Sequence, residues 1–330
     1  SRTLRELEDW EEPLSYPGWA SVSPDSSHVI FTRECNLYEM SFDDFMSIAE
    51  ARRGKTGEAA DSAEMGVEVD ETQLTTDGER WYCYGSDGRG QNDDETKENW
   101  EKRQGSGILW SHDSRYFAMN RQDRREVGML WVVHAVGNKR PQLESYKYDM
   151  PGDTAVTQTD LLVYDMQAGA MQKIDDDPWK DQTMGVSVDP SGGARFFGFG
   201  GGGGGATEVP IRKWLSDEPD ELYFYRASRD LHRIDLMVAD PETGDVRAVI
   251  EERMNTYQEQ QPPRRLANGD IIWWSERDGW AHLYRYGSDG TLKNRLTEGP
   301  WHVDGMLGVD ETQGFVLFRG NGREEGEDPY

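Results

Sequence analysis

Three things are scarce in this chain: cysteine, lysine and long apolar runs. Cysteine occurs twice, as Cys35 and Cys83, whereas disulfide scaffolds are far denser in it. Both lie in strand-like stretches, so free, half-buried thiols are expected; a single bridge between neighbouring strands is the alternative. Lysine occurs 9 times against 27 arginines, and 63 acidic residues set the net charge at −27. That balance excludes nucleic acid as a partner, because phosphate binding needs clustered Lys and Arg. It suits high salt, where screening relieves self-repulsion, and equally an acidic protein of an ordinary cell. The longest apolar run, Met129 to Val136, is interrupted by His134 and is too short for a bilayer span. No basic segment followed by an apolar one opens the chain, so no signal peptide is visible. Catalytic and metal motifs are missing too. Gly185-Val186-Ser187-Val188-Asp189 departs from Gly-x-Ser-x-Gly at its last place, and His-Glu-x-x-His, Cys-x-x-Cys and calcium-loop spacings do not occur. No catalytic residue, metal or cofactor is expected within these residues.

What the chain has is repetition. The 12 Trp and 14 Tyr argue against disorder and favour strands. Ser23-Pro24-Asp25-Ser26-Ser27-His28-Val29-Ile30-Phe31 recurs as Trp110-Ser111-His112-Asp113-Ser114-Arg115-Tyr116-Phe117-Ala118. Degenerate copies are read at Ser187-Val188-Asp189-Pro190-Ser191 and Trp214-Leu215-Ser216-Asp217-Glu218. Each copy ends one apolar strand, turns and starts another. Third strands follow at Asn36-Leu37-Tyr38, Leu161–Tyr164 and His282–Tyr286. A strand–turn–strand unit repeated every few tens of residues predicts an all-β fold, a β-propeller of four-stranded antiparallel blades. Residues 1–16 read as an arm or the end of a preceding blade. Blades are expected over about 17–78, 80–174, 184–250 and 262–298, with a partial one over 303–330. The hairpin of Arg233–Val238 and Val246–Ile250 around Asp240-Pro241-Glu242-Thr243-Gly244-Asp245 is the clearest. A chain cut inside a repeat exposes a sheet edge, so the native protein is expected to continue past Tyr330.

Several excursions interrupt the blades. Phe42, Phe45, Met46, Ile48 and Ala49 fall at helical spacing and predict a short helix ended by Arg53-Gly54-Lys55, then an acidic loop before a strand at Thr72–Thr75. The second blade is expected to open at Trp81–Tyr84, to leave the sheet over 86–106, and to continue through Met129–Val133 before a further excursion at 137–159. Gly200 to Gly205 lack a following Lys-Ser/Thr and read as a flexible loop; Asp175-Asp176-Asp177 reads as a turn. The six histidines are expected to be structural or solvated. Glu251-Glu252-Arg253 reads as a solvated strand end with an ion pair, or as an ammonium site. Asp93-Asp94-Glu95 with Glu98-Asn99-Trp100-Glu101 reads as an acidic loop long enough to reach a channel.

Taken together, these residues resemble a known family. Ser275-Glu276-Arg277-Asp278-Gly279-Trp280-Ala281-His282-Leu283-Tyr284 and Leu296-Thr297-Glu298-Gly299-Pro300-Trp301-His302-Val303 resemble consecutive motifs of the dipeptidyl peptidase IV-like enzymes. Ser23-Pro24-Asp25, Asn36-Leu37-Tyr38, Trp110–Ser114 and Tyr146–Asp153 fit earlier ones, in order. The resemblance implies the eight-bladed N-terminal propeller of a serine peptidase of the prolyl oligopeptidase family (S9), which shields and feeds a downstream α/β-hydrolase domain. It implies peptide substrates, that hydrolase domain as partner, a possible homodimer, and an exported or periplasmic location. In such enzymes an acidic pair from a propeller excursion binds the substrate's free N-terminus, shortly before the segment matching Trp110-Ser111. Here that place holds Glu98 and Glu101, without adjacent glutamates, so they are the candidate substrate-binding residues; Glu251-Glu252 lies elsewhere in the blade order. The rival reading is a stand-alone binding or scaffolding propeller. A downstream Gly-x-Ser-x-Gly followed by Asp and His favours the peptidase; an early stop favours the scaffold.

Overall fold

The computed structural model describes residues 12, 14–85, 93–137, 139–174, 178–190, 209, 211–324 and 326–327. Strands dominate, and every pairing between them is antiparallel. Sheet 1 takes β1 (Ser21–Val22), β2 (His28–Arg33), β3 (Asn36–Ser41) and β4 (Glu71–Gln73) in that order, with helices α1 (Phe42–Arg52) and α2 (Gly57–Met65) between β3 and β4. Helix α3 (Asp93–Asn99) precedes sheet 2. Sheet 2 holds β5 (Leu109–Trp110) and β6 (Tyr116–Asp123); a separate ribbon of β7 (Met129–His134) and β8 (Gln142–Lys147) follows; β9 (Gln158–Asp165) and β10 (Ala170–Ile174) complete the sheet. Sheet 3 is β11 (Thr183–Val186), β12 (Leu222–Ala227), β13 (Arg233–Ala239) and β14 (Val246–Arg253). Sheet 4 is β15 (Arg264–Arg265), β16 (Ile271–Ser275), β17 (His282–Tyr286) and β18 (Leu292–Arg295). A last ribbon pairs β19 (His302–Asp310) with β20 (Phe315–Asn321).

The sheets stack face to face in chain order, because their strands are apolar on both faces. In sheet 2, Trp110, Phe117, Met119, Leu162 and Tyr164 pack on Ile30 and Leu37 of sheet 1. The alternate residues Leu109, Tyr116, Ala118, Leu161 and Val163 pack on Leu222, Phe224 and Met237 of sheet 3 and on Trp214, which precedes β12. Sheet 3 turns Tyr223, Leu236 and Val238 towards Ile271, Trp273 and Tyr284 of sheet 4. Sheet 4 turns Ile272, Trp274 and Leu283 towards Trp301, Val303 and Phe318 of the last ribbon. The outer face of sheet 1 is closed by Phe45 and Ile48 of α1. The result is an all-β, propeller-like stack. Each fully buried aromatic in it contributes a few kcal/mol, about 1.5–3 by area.

The repeated phrase is a turn capped by its own side chains. At β1–β2 the Ser23 hydroxyl donates to Asp25 Oδ1 (2.6 Å) and accepts from the N–H groups of Ser27 (3.1 Å) and His28 (3.0 Å), while Ser26 sits at φ 58°. At β5–β6 Ser111 and Asp113 repeat this: hydroxyl to Oδ1 2.6 Å, Tyr116 N–H to Ser111 Oγ 2.9 Å, Ser114 at φ 64°. Ser and Asp are chosen because their short oxygens satisfy turn N–H groups locally. The two turns touch: Asp25 N–H donates to Ser114 Oγ at 3.0 Å. The third faithful copy is not where the sequence reading put it. It is Ser228-Arg229-Asp230-Leu231-His232-Arg233, with Ser228 Oγ to Asp230 Oδ1 at 2.6 Å, Arg233 N–H to Ser228 Oγ at 3.1 Å and Leu231 at φ 57°. The degenerate copy expected at 214–218 does turn into β12, with Ser216 Oγ accepting from Glu218 N–H (3.2 Å) and donating to Glu221 (2.9 Å), and its start pairs with the stretch from Ser187: Asp189 N–H donates to Lys213 O (3.0 Å) and Leu215 N–H to Ser187 O (2.9 Å). Trp110 N–H donates to Arg212 O (2.9 Å) and Trp214 N–H to Trp110 O (3.0 Å). Residues 212–215 thus join sheet 2 to sheet 3.

Other expectations need correcting. Cys35 and Cys83 are not free: they form a disulfide, Cα to Cα 4.3 Å. The tight β2–β3 turn, with Cys35 at φ 64°, faces the 79–84 segment, and Tyr84 N–H donates to Cys35 O (3.1 Å). Trp81–Tyr84 is therefore not a blade-opening strand. The loop after α1 contains a second helix, α2, because Arg52 and Arg103 bind its Glu64 at 2.6 and 3.0 Å. Met129–Val133 belongs to the β7–β8 ribbon rather than to sheet 2, whose third strand is β9, paired with β6 from Tyr116↔Asp165 to Asp123↔Gln158. The expected Gly200–Gly205 loop, the Asp175–Asp177 turn, most of the 1–16 arm and residues 86–92 lie outside the described residues.

Two measurements follow from these features. A double Cys35→Ser/Cys83→Ser variant opens a bridge that spans 48 residues; its unfolding free energy in urea should fall by about 2–4 kcal/mol. Partial burial opposes ionisation of Asp25, but hydrogen bonds from Ser23, Ser27 and Ser114 outweigh it and hold its pKa at about 2, below 3.8. A lowered folded pKa gives stability that is present above 3.8 and lost as the pH falls towards 2. Asp25→Ala should therefore lower stability at pH 7 by about 1 kcal/mol after solvent screening, and its deficit should shrink between pH 4 and pH 2.

Candidate functional site

Strands β1, β5, β11 and β15 each come first in their sheet and form its edge. The edges of β5 and β11, with the segment leading into β15, enclose a cavity of about 540 Å³. Its apolar wall is Leu109, Met119, Val186, Val188, Pro262 and Pro263. Its polar groups are Asn120, Ser187, Arg212, Tyr225, Gln260 and Gln261. Among the described residues no carboxylate lines it. The nearest one in sequence, Asp189, is engaged away from it, 3.7 Å from His112 Nε2 and 3.8 Å from Lys213 Nζ.

Local backbone chemistry positions these groups. Gly185 stands opposite Tyr225 in the β11–β12 pair. A Cβ there would lie 2.3 Å from the Tyr225 ring, so glycine is what lets the ring lie across β11 into the cavity wall. Burial raises the Tyr225 pKa, which keeps the phenol a donor. Asn120 Oδ1 accepts from Val186 N–H at 3.3 Å and fixes sheet 2 against sheet 3. Ser187 is 5% exposed, and its Oγ has no hydrogen-bond partner among the described residues. Arg212, presented by the joining segment, has no ion pair among the described residues. Sequence reasoning missed this site, because its walls come from separate segments. Arg212-Lys213 is no signal by itself, since adjacent cations also occur at Arg52-Arg53, Lys102-Arg103, Arg124-Arg125, Lys139-Arg140 and Arg264-Arg265.

Glu98 lies near the end of α3 and Glu101 just beyond it, and both are exposed. The segment that follows is held to sheet 1: Thr32 N–H donates to Gln104 O and Gln104 N–H to Thr32 O, both at 2.8 Å. Arg103 bonds Glu71 (2.8 Å) and Glu64 (3.0 Å). Neither Glu98 nor Glu101 lines the cavity. Of the other weighed carboxylates, Glu251 pairs with Arg253 at 2.9 Å. Glu252 is buried, accepting from Trp273 Nε1 (3.1 Å) and from Arg277. His282 is fully buried between Thr297 Oγ1 and Gly299 O, each at 3.0 Å, and His28 contacts Glu39.

A second polar cluster lies between sheets 1 and 2. Arg121 bonds Asp77 (2.9 Å) and Asp160 (3.3 Å), contacts the Tyr82 hydroxyl, and stands over the Tyr82 and Tyr84 rings. Burial and the bond to Asp77 raise the Tyr84 pKa. Each of these residues bonds another of the group, although Arg121 Nε has no partner among the described residues, and the cluster acts as a structural tie. Among the described residues no group of three His, Cys, Asp or Glu is arranged to hold a metal ion, and no helix is long and apolar enough to cross a membrane.

Known proteins share this fold. A family model, dipeptidyl peptidase IV (DPP IV) N-terminal region, matches residues 68–188 and 207–329. The crystal structure of Porphyromonas gingivalis dipeptidyl peptidase 4 matches 92% of this chain with a TM-score of 0.63 and 19% identity. A Bacteroides ovatus protein assigned as a dipeptidyl aminopeptidase IV matches 90% with a TM-score of 0.53 and 18% identity. This chain spans 36% and 41% of those two proteins. With about three quarters of its length covered by the family model, the chain belongs to the family of the dipeptidyl peptidase IV N-terminal region.

Proposed function

We propose that this chain is the propeller of a dipeptidyl-peptidase-type serine peptidase, and that it admits and orients peptides for a C-terminal α/β-hydrolase domain. The sheets are then blades, in the eight-bladed arrangement of the family, and their first strands face a central channel. The observation that carries this reading is the cavity at the converging first strands of sheets 2, 3 and 4. Such a place, walled by apolar groups with a few polar ones, is where ligands bind. Leu307, Phe315 and Leu317 on the outer face of the last ribbon are exposed, which supports a further blade packed there. Peptide entry through a channel between blades would reject folded proteins by size.

Two partner assignments go with it. The β7–β8 ribbon exposes Trp131 (67%), Val133 (62%) and Leu143 (67%), an apolar surface that suits a homodimer contact. The Cys35–Cys83 bridge supports an exported or periplasmic location, where disulfides persist. Glu98 and Glu101 are assigned to the free N-terminus of the substrate, as a carboxylate pair for an ammonium group. In the full-length enzyme, Glu98→Gln/Glu101→Gln should raise KM about tenfold for peptides with free N-termini and leave N-acetylated peptides unaffected. Identical steady-state kinetics for both peptide classes would remove the assignment.

A further inference from the structure

We propose that the cavity between the first strands of sheets 2, 3 and 4 binds a carboxylate carried beside an apolar group. The cation is Arg212, which lines the cavity and has no ion pair among the described residues. A planar guanidinium matches a carboxylate through two parallel hydrogen bonds. One cation suits one negative charge; a phosphate dianion calls for more, and among the described residues no second Lys or Arg lines the cavity. Among the described residues the wall carries no carboxylate to compete, and Asp189 beside it is already engaged by His112 and Lys213.

A second observation points the same way. Ser187 lines this cavity, is 5% exposed, and its Oγ has no hydrogen-bond partner among the described residues. Leaving a buried hydroxyl unmade is costly, and a ligand oxygen held by Arg212 is a partner of the right kind. Tyr225, kept protonated by burial, and the amides of Gln260 and Gln261 supply further donors on the same lining. On the same lining, Leu109, Met119 and Val186 offer apolar surface that rewards a neighbouring aliphatic group by area. Two sources carry this chemistry: the C-terminal residue of a peptide ending in an apolar side chain, and a free aliphatic acid. The cavity's preference rests on its own lining and needs no catalytic domain.

The test is calorimetric titration of the 330-residue chain with acetyl-Ala-Ala-Leu, with the same peptide amidated, and with hexanoate. Saturable binding of at least one acid is expected, with the amide at least tenfold weaker than its parent peptide or silent beside hexanoate. Arg212→Gln should weaken the binding acid about tenfold or more, Arg212→Lys should restore part of it, and Ser187→Ala should cost about threefold. A peptide tighter than hexanoate assigns the site to peptide ends; the reverse assigns it to small acids, and either upholds the carboxylate. The proposal is overturned if neither acid binds, or if the amide matches the acid. It is also overturned if Arg212→Gln, with an unchanged circular dichroism spectrum, binds as the parent does. Should Arg212→Gln fail to fold, acid against amide on the parent chain decides alone.

Discussion

Burial of each sheet on both of its faces is the constraint from which the rest of this molecule follows. A half-buried sheet needs one neighbour; a sheet with Trp110 and Phe117 on one side and Leu109 and Tyr116 on the other needs two. Chain order supplies them, so sheet follows sheet and the first strands are brought to a common edge. The cavity is a product of that geometry. It lies where the edges of β5 and β11 meet the run into β15, and its polar groups sit there because edge backbone and the joining segment 212–215 put them there.

Charge is handled by arginine. Glu64 is 7% exposed and is bound by Arg52 and Arg103; Glu71 is bound by Arg103 and Arg33 at 2.7 Å each. Removing one partner from such a buried network strands the other charge, so the network specifies the placement of α2 against sheet 1. It also fixes Arg103, two residues beyond Glu101. An acidic surface and a few arginine-held interior carboxylates are two uses of one composition.

Local features of this fold are legible in the sequence where long-range ones are not. The Arg233–Ile250 hairpin is legible because apolar runs flank a turn that only Asp-Pro-Glu-Thr-Gly-Asp chemistry makes. The Ser-x-Asp turn is legible at 23–28 and 111–116 for the same reason. Residues 228–233 carry the same side chains at the same spacing, but without the surrounding tryptophan or proline that marked the others. Met129–Val133 is legible as a strand and not as to its partner, since periodicity records a face and not a neighbour. The Cys35–Cys83 bond joins residues 48 apart, a distance no local pattern spans. The cavity is least legible of all: Leu109, Ser187, Arg212 and Gln260 come from separate stretches, and only the fold makes them adjacent. Glu98 and Glu101 were reached by motif order, which gives position along the chain and not orientation in space.

The covalent link between Cys35 and Cys83 makes a closed ring of the backbone that contains β3, both helices of the insertion and β4. A protease that severs the exposed turn between α1 and α2 would open this ring without shedding a fragment. The cut halves would remain one molecule, docked on sheet 1, and would separate only after reduction.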